Sequence, residues 1–485
     1  MDNYYKKDNV YIKYYKWDKK NSKIFHKSCS NILQLQDSQF YQPFFSLYYN
    51  IHNTKNSHKL IDIKRNNIVM DIISSKEYSH YSSNSFIEAN VLDIIHNTSF
   101  TKELFCKSIP LLDPLYFIMG NYNNQVSRNP LLPSNYNYNT FQKINSLSNG
   151  AYIDIIFSLI TSELTDKDIL PSFPIFFGSV NGISKEFKHD ITSEHDDIQD
   201  EPWFQKNIGK LFTINLYTDS DNITSDSSKS SESNSSSSTN KDEFISILKE
   251  IPCQNLFLEK LEGTLEDLLD IEDVDFDVIL SGLFQISFAL TYLQKYYSFS
   301  HNDLHVNNIM YTSTEKIYLY YKFNNKYFRV PTHGYIFKII DFGRATFMFH
   351  DKTFFNDSFE KYGEAEGQYK LPEVHYPLPQ ENNKQGNIVN YNFDLCRLAI
   401  TMLDCLHYHN EKDYKENQQI INFIYNMTID NEGESLYDLH DDFEMYIEIS
   451  KSSCNSLPRQ MIQNYIFKKY QVSKKSFPKK LYYHL

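Results

Sequence analysis

A long amphipathic helix is predicted over residues 276–297, where Ile279, Leu283, Ile286, Leu290 and Leu293 form one apolar stripe. It runs straight into a polar segment, SHNDLHVNNIMY, that carries His301, Asp303 and Asn308. Further on, FKIIDFGRA reads as an apolar strand ending at Asp341, Phe342 and Gly343. A second apolar helix, FDLCRLAITMLDCL, begins with an aspartate, Asp394, in its first turn. Two buried helices therefore bracket two short polar segments, and any fold must satisfy that order.

Composition narrows the class. The 485 residues suggest two to four domain-sized units, and a hydrophobic fraction of 41% with 16% aromatics excludes a wholly disordered chain. With 13 Gly and 15 Pro, collagen-like repeats are excluded as well. No apolar run approaches the roughly 20 residues of a membrane helix, and the first residues lack a signal-peptide core. Six cysteines without CxxC spacing suggest neither zinc nor a disulfide framework. A soluble protein of a reducing, intracellular compartment is expected.

The net charge of −13 is concentrated: residues 190–243 hold 12 acidic and 4 basic side chains. Within them, 218–243 is Ser/Asp-rich and nearly free of apolar groups, so it is expected to be a disordered insertion. The end of the chain is basic, with Arg459, Lys468, Lys469, Lys474, Lys475, Lys479 and Lys480, which reads as a solvated helix face and only weakly as a nucleic-acid or membrane contact. Residues 1–85 show no strong cap or hairpin signal. Glu103 to Ile109, Phe173 to Gly178 and Asn255 to Leu261 read as strands, and AYIDIIFSLITSEL as a helix.

The segment HNDLHVNN, the DFG triplet after an apolar strand and the Asp-initiated helix behind them, in that order, resemble the catalytic core of eukaryotic-type protein kinases. The resemblance implies an α+β, two-lobed kinase-like fold, with a β-rich N-lobe and a mainly helical C-lobe. The expected divisions are an extension at 1–85, an N-lobe at 86–261 and a C-lobe at 262–485. It implies ATP and Mg²⁺ as cofactors, bound between the lobes, and transfer of phosphate to Ser/Thr of a protein substrate. Asp303 would take or orient the acceptor proton, and Asn308 and Asp341 would hold metal. Lys107, in the VAIK-like LFCK, would hold the phosphates, with Asp154 or else Glu163 as its helix carboxylate. Leu258, Glu259 and Leu261 would line the adenine linker and His305 would face a phosphate. His301 and Phe342 would pack in a regulatory stack, and Asp394 would anchor the catalytic loop.

The chain also departs from the family. No glycine precedes Gly120, so the phosphate-covering GxGxxG loop is missing. Asn302 replaces the usual arginine, which removes the cation that would hold a phosphorylated activation segment. Asn308 and Asp341 are 33 positions apart, and KIYLYYKFNNKYFRVPT between them reads as an added hairpin turning at Asn324-Asn325. EKYGEAEGQYKLPEV stands where APE is usual. With these features the chain is similar to divergent kinase-like proteins of large nucleocytoplasmic DNA viruses, which would put it in host cytoplasm or virion. Two alternatives accompany the kinase expectation: a small-molecule phosphotransferase of the aminoglycoside or choline kinase type, and a pseudokinase scaffold.

Overall fold

The computed structural model describes residues 17–40, 66–122, 140, 143–217, 242–271, 273–349, 352–360, 363–369, 389–406, 417–439, 442–478 and 482–485. The expected disordered insertion falls, over 218–241, outside the described residues. The described chain is α+β and forms two compact units, one from residues 12–151 with 177–260, the other from 152–176 with 261–485.

The first unit is built on a seven-stranded sheet: β1 (Leu35–Gln39), β2 (Asn67–Glu77), β3 (Ser85–Asp93), β4 (Thr98–Pro110), β5 (Phe176–Asp190), β6 (Phe212–Tyr217) and β7 (Glu243–Glu259). The order is β1-β5-β7-β4-β3-β2, with β6 on the other half of β7. Besides β5, β7 serves two further partners: Glu250 takes a left-handed backbone (φ 56), separating 243–248, which pair with β6, from 253–259, which pair with β4. Ile87, Ala89 and Val91 alternate into the core from β3, and Leu104 and Cys106 from β4. An N-terminal helix, α1 (Lys19–Ile32), is capped by Asp18, which accepts from the Lys20 and Asn21 amides. It buries Phe25 and Cys29, and Phe25 meets Phe257 edge-on at 6.3 Å.

The lobe boundary expected after residue 85 falls inside this sheet, since β2 pairs with β3 along its length. The N-terminal region escaped the sequence reading because α1 buries only two apolar side chains, too few for a clear helical period. β4 and β7 extend beyond the strands expected from their apolar centres, and β5 begins only at Phe176, then continues to Asp190.

The second unit begins with α2 (Gly150–Asp166), which belongs to it from Tyr152 onward. Its long helix α3 (Phe276–Tyr297) has Asp275 as N-cap and is buried nearly all round. It is long and apolar enough to cross a membrane, but 94% of its most apolar window is buried inside the protein. No other helix among the described residues meets that criterion. Gly282 lets α3 approach the small sheet beside it, because a Cβ there would lie 2.9 Å from the Phe337 ring. That sheet joins β8 (Gly263–Thr264), β9 (Ile309–Ser313) and β12 (Tyr335–Ile339). Between β9 and β12, β10 (Tyr318–Phe323) and β11 (Lys326–Pro331) form a hairpin turning at Asn324-Asn325, with Asn324 at φ 53. This is the added hairpin read from the sequence.

The described basic residues of the tail are exposed on short helical turns: Arg459 on Pro458–Met461, Lys468 and Lys469 on Tyr465–Tyr470, and Lys474 and Lys475 on Lys474–Ser476. Residues 471–472 pair with β11 and 483–484 with β10, while Phe477 packs on Tyr320 and Tyr327. Lys469 pairs with Asp277. The tail therefore caps the inserted hairpin. Two further helices complete the frame used below, α4 (Phe393–Leu406) and α5 (Asp442–Ser452).

Candidate functional site

The polar segment after α3 is fixed from below by one buried carboxylate. α3 stops at Ser298, whose left-handed backbone (φ 49) turns the chain. Ser300 exchanges two 2.9 Å backbone bonds with Thr346. Asp394, fully buried on α4, then accepts from the His301 amide at 2.9 Å, the Asn302 amide at 3.0 Å and the Ser300 hydroxyl at 3.2 Å. Burial pushes the Asp394 carboxyl above the usual range, against the pull of His301 and these donors. This is the anchoring expected of Asp394.

The loop is tied to the Asp341 segment through a single residue. The Ile340 carbonyl lies 2.8 Å from His301 Nε2, and the Ile340 amide donates to the Asn308 carbonyl at 3.0 Å. Asp341, the next residue, takes a left-handed backbone (φ 61), and the Gly343 amide donates to its Oδ1 at 3.3 Å. A non-glycine residue in that conformation carries a cost that the surrounding bonds must offset.

Asn308 is buried, and its amide nitrogen donates both to the Asp303 carbonyl (2.8 Å) and toward His305 Nε2 (3.0 Å). These bonds fix the amide orientation and leave Oδ1 as its uncommitted donor atom. Since Nε2 receives a hydrogen, the His305 proton sits on Nδ1. Desolvation holds the His305 pKa below its ordinary value, although Asp303 and Asp341 pull it upward. His305 is therefore neutral near pH 7, with its one ring hydrogen on Nδ1.

Asp303 itself is engaged. Its Oδ1 accepts from the Tyr446 hydroxyl at 2.7 Å and lies 3.9 Å from Arg344 Nη1, while Arg344 Nη2 reaches Glu364 at 3.2 Å. The Tyr446 ring is covered by the Arg397 guanidinium at 4.8 Å and lies 5.9 Å from Phe393. Asp303, His305, Arg344, Arg397 and Tyr446 all line a cleft of about 440 Å³ in the helical unit. Cys405, also on its wall, has its thiol pushed up to about 11 by burial and is not a nucleophile near neutrality.

Phe342 packs edge-on against Phe157 at 5.1 Å and lies 5.8 Å from His301, so these rings pack against one another. Its amide donates to Asp154 Oδ1 at 3.2 Å, and Asp154, buried on α2, also accepts from Ser158 at 3.1 Å. Ser158, one helical turn on, thus serves as a donor to the carboxylate. Glu163, the alternative, is ion-paired to Lys167 at 2.8 Å. Lys107 lies on β4 of the sheet unit, opposite Leu256, and Phe105, two residues earlier, is opposite Leu258. Leu258 and Glu259 end β7, and Leu261 opens the helical unit.

Asn302, at φ 66 and fully buried, donates to the Arg344 carbonyl (2.8 Å) and Thr346 (3.0 Å) and accepts from the Tyr369 hydroxyl at 2.6 Å. A neutral amide thus fastens the segment after Asp341. Of the APE replacement, residues 361–362 and 370–374 lie outside the described residues.

The glycine-free turn between β2 and β3 is tied down by side chains. Tyr78 pairs with Asn84 through the backbone at 3.1 Å, Asn84 Oδ1 accepts from the Ser108 amide at 2.9 Å, and His80 meets Glu243 at 2.8 Å. Tyr78 and Phe86 contact Phe105 edge-on, at 5.4 and 5.9 Å. Because residues two apart share a strand face, this aromatic cluster stands on the same face as Lys107.

Asn308 Oδ1 and the Asp341 carboxylate are hard oxygen donors that suit Mg²⁺. Among the described residues, no group of three or more His, Cys, Asp or Glu could hold a metal, so an ion there would rely on phosphate and water oxygens for most of its shell. Sequence reasoning missed Tyr446, Arg397 and Tyr369. Tyr446 is 143 positions from Asp303, and no local spacing announces it.

No family model matches the chain. Over 82 residues it is 37% identical to an uncharacterized protein, 098R, of Invertebrate iridescent virus 6, a stretch covering 16% of this chain and 14% of that protein. The chain thus spans about a seventh of the length of this viral relative.

Proposed function

We propose that the protein is an ATP- and Mg²⁺-dependent kinase that phosphorylates hydroxyl side chains of a protein substrate. The observation that carries this reading is the double tether of Ile340, to His301 on one side and Asn308 on the other, which brings Asp341 beside the loop bearing Asp303 and Asn308. Asp341 and Asn308 would hold the metal, and Asp303 would orient the acceptor hydroxyl and take its proton. Mg·ATP, when bound, supplies the phosphoryl group and spreads its charge. Asn302 and Tyr369 fasten the following segment without a buried cation, so activity should need no phosphate there.

Transfer of labelled phosphate from Mg·ATP to casein tests the reading, with Asp303→Asn and Asp341→Asn alongside. Loss of a positioned base lowers turnover by about 10²–10⁴-fold, and Asp341→Asn should cost at least as much. Activity that survives both changes removes the assignment.

A second reading, a non-catalytic scaffold, is favoured by the Tyr78, Phe86 and Phe105 cluster on the Lys107 face and by the glycine-free turn. Mg·ATP at 100 times its Kd adds about 2.7 kcal/mol of stability to a protein that binds it. A melting temperature unmoved by Mg·ATP favours the scaffold.

A further inference from the structure

The Tyr446 hydroxyl stands in the relation to Asp303 that a substrate hydroxyl must adopt: an O–H donor 2.7 Å from the carboxylate oxygen. The group is built in rather than incidental. Its ring is held by Arg397 and Phe393 on α4, the helix whose Asp394 anchors the loop carrying Asp303. The other close neighbour of the same oxygen, Arg344, is shared with Glu364. Asp303 and Tyr446 line the same open cleft, so an external hydroxyl approaching Oδ1 from that cleft meets the phenol already there.

We propose that Tyr446 is an internal occupant of the acceptor position, a tethered competitor that a protein substrate must displace from Asp303. The inference rests on the kinase reading. On displacement, the substrate oxygen forms the new bond to the terminal phosphorus of ATP, its proton passes to Asp303, and the bond to ADP breaks.

Competition has a kinetic signature that a purely orienting role lacks. With casein and Mg·ATP, Tyr446→Phe, which keeps the ring over Arg397, should lower the KM for casein. kcat and the KM for ATP should be unchanged. The gain in kcat/KM should be roughly tenfold, the factor that one hydrogen bond to a charged group commands. Tyr446→Met, lacking ring and hydroxyl, should move the same way. Phosphate found on Tyr446 of the parent by mass spectrometry would also support the proposal, since it requires the phenol to occupy the acceptor position. A lower kcat with unchanged KM in Tyr446→Phe, or no change at all, overturns the proposal. If Mg·ATP still raises the melting temperature in that case, the kinase reading stands. No thermal shift and no transfer in any of the three proteins overturns both.

Discussion

The loop at residues 298–308 of the helical unit and the β2–β3 turn of the sheet unit hold their chains by different means. In the former, one buried carboxylate, Asp394, gathers three donors from residues 300–302, and neutral amides at Asn302 and Asn308 distribute the remaining bonds. In the latter, the turn is held by aromatic packing and single side-chain bonds, such as Asn84 to the Ser108 amide and Ser83 to the Lys188 amide. A buried charge with several donors defines geometry tightly, because losing it strands every donor at once. Separate contacts can be exchanged one at a time. Accordingly the loop holds Asp303 and Asn308 in one defined arrangement, whereas the turn forms its hairpin without a glycine.

The largest expected effect comes from breaking the loop's anchor. Asp394→Ala leaves the Ser300 hydroxyl and the His301 and Asn302 amides without a buried partner, a loss of about 3 kcal/mol. Faster hydrogen exchange at the His301 and Asn302 amides would show it directly. Asn84→Ala removes one part-buried bond, and about 1 kcal/mol is expected there. Equal losses at the two positions would erase the contrast.

The pH dependence sharpens the contrast next. The His305 pKa is lowered by burial, so the folded protein resists a proton that the unfolded chain accepts near pH 6.5. Its contribution to stability is complete above pH 6.5 and is lost as pH falls through the lower folded value. Protonation also sets two donors against each other, His305 Nε2 and the Asn308 amide, and frees Asn308 from its fixed orientation. Phosphotransfer should hold steady at pH 7 and fall about tenfold per pH unit below the folded pKa. His305→Gln should flatten that limb, and a pH–rate profile unchanged by the substitution would remove His305 from the explanation.

How far the sequence could be read follows the same division. α3, α4 and the inserted hairpin were legible to the residue, because a sustained apolar period and an Asn-Asn turn between alternating strands are local signals. Asp394's role was legible because its motif is short. β2 and α1 were not, since β2 sits at the sheet edge and exposes its last five residues, and α1 is mostly polar. The Tyr446 and Tyr369 hydroxyls were invisible for another reason: each bonds across a long stretch of chain, to a partner that only folding supplies. The tail was half legible: its lysines do lie exposed on short helical turns, but its aromatic residues Phe467, Tyr470 and Phe477 decide where it packs, and no local signal names their partners.

The smallest expected effect lies on the sheet face that carries Lys107. Phe105 occupies the position two residues before that lysine and is packed edge-on by Tyr78 and Phe86. Lys260 stands 4.5 Å over the Phe86 ring, which adds a cation to the same cluster. Rings that already satisfy one another offer less apolar surface to a purine than an open strand face does. Phe105→Ala should therefore tighten nucleotide binding by about fivefold, roughly 1 kcal/mol, measured by titration calorimetry with Mg·ATP. Binding weakened by the substitution would mean that Phe105 itself stacks on the base, and the aromatic turn would then be a replacement for the glycine loop rather than an obstacle to the nucleotide.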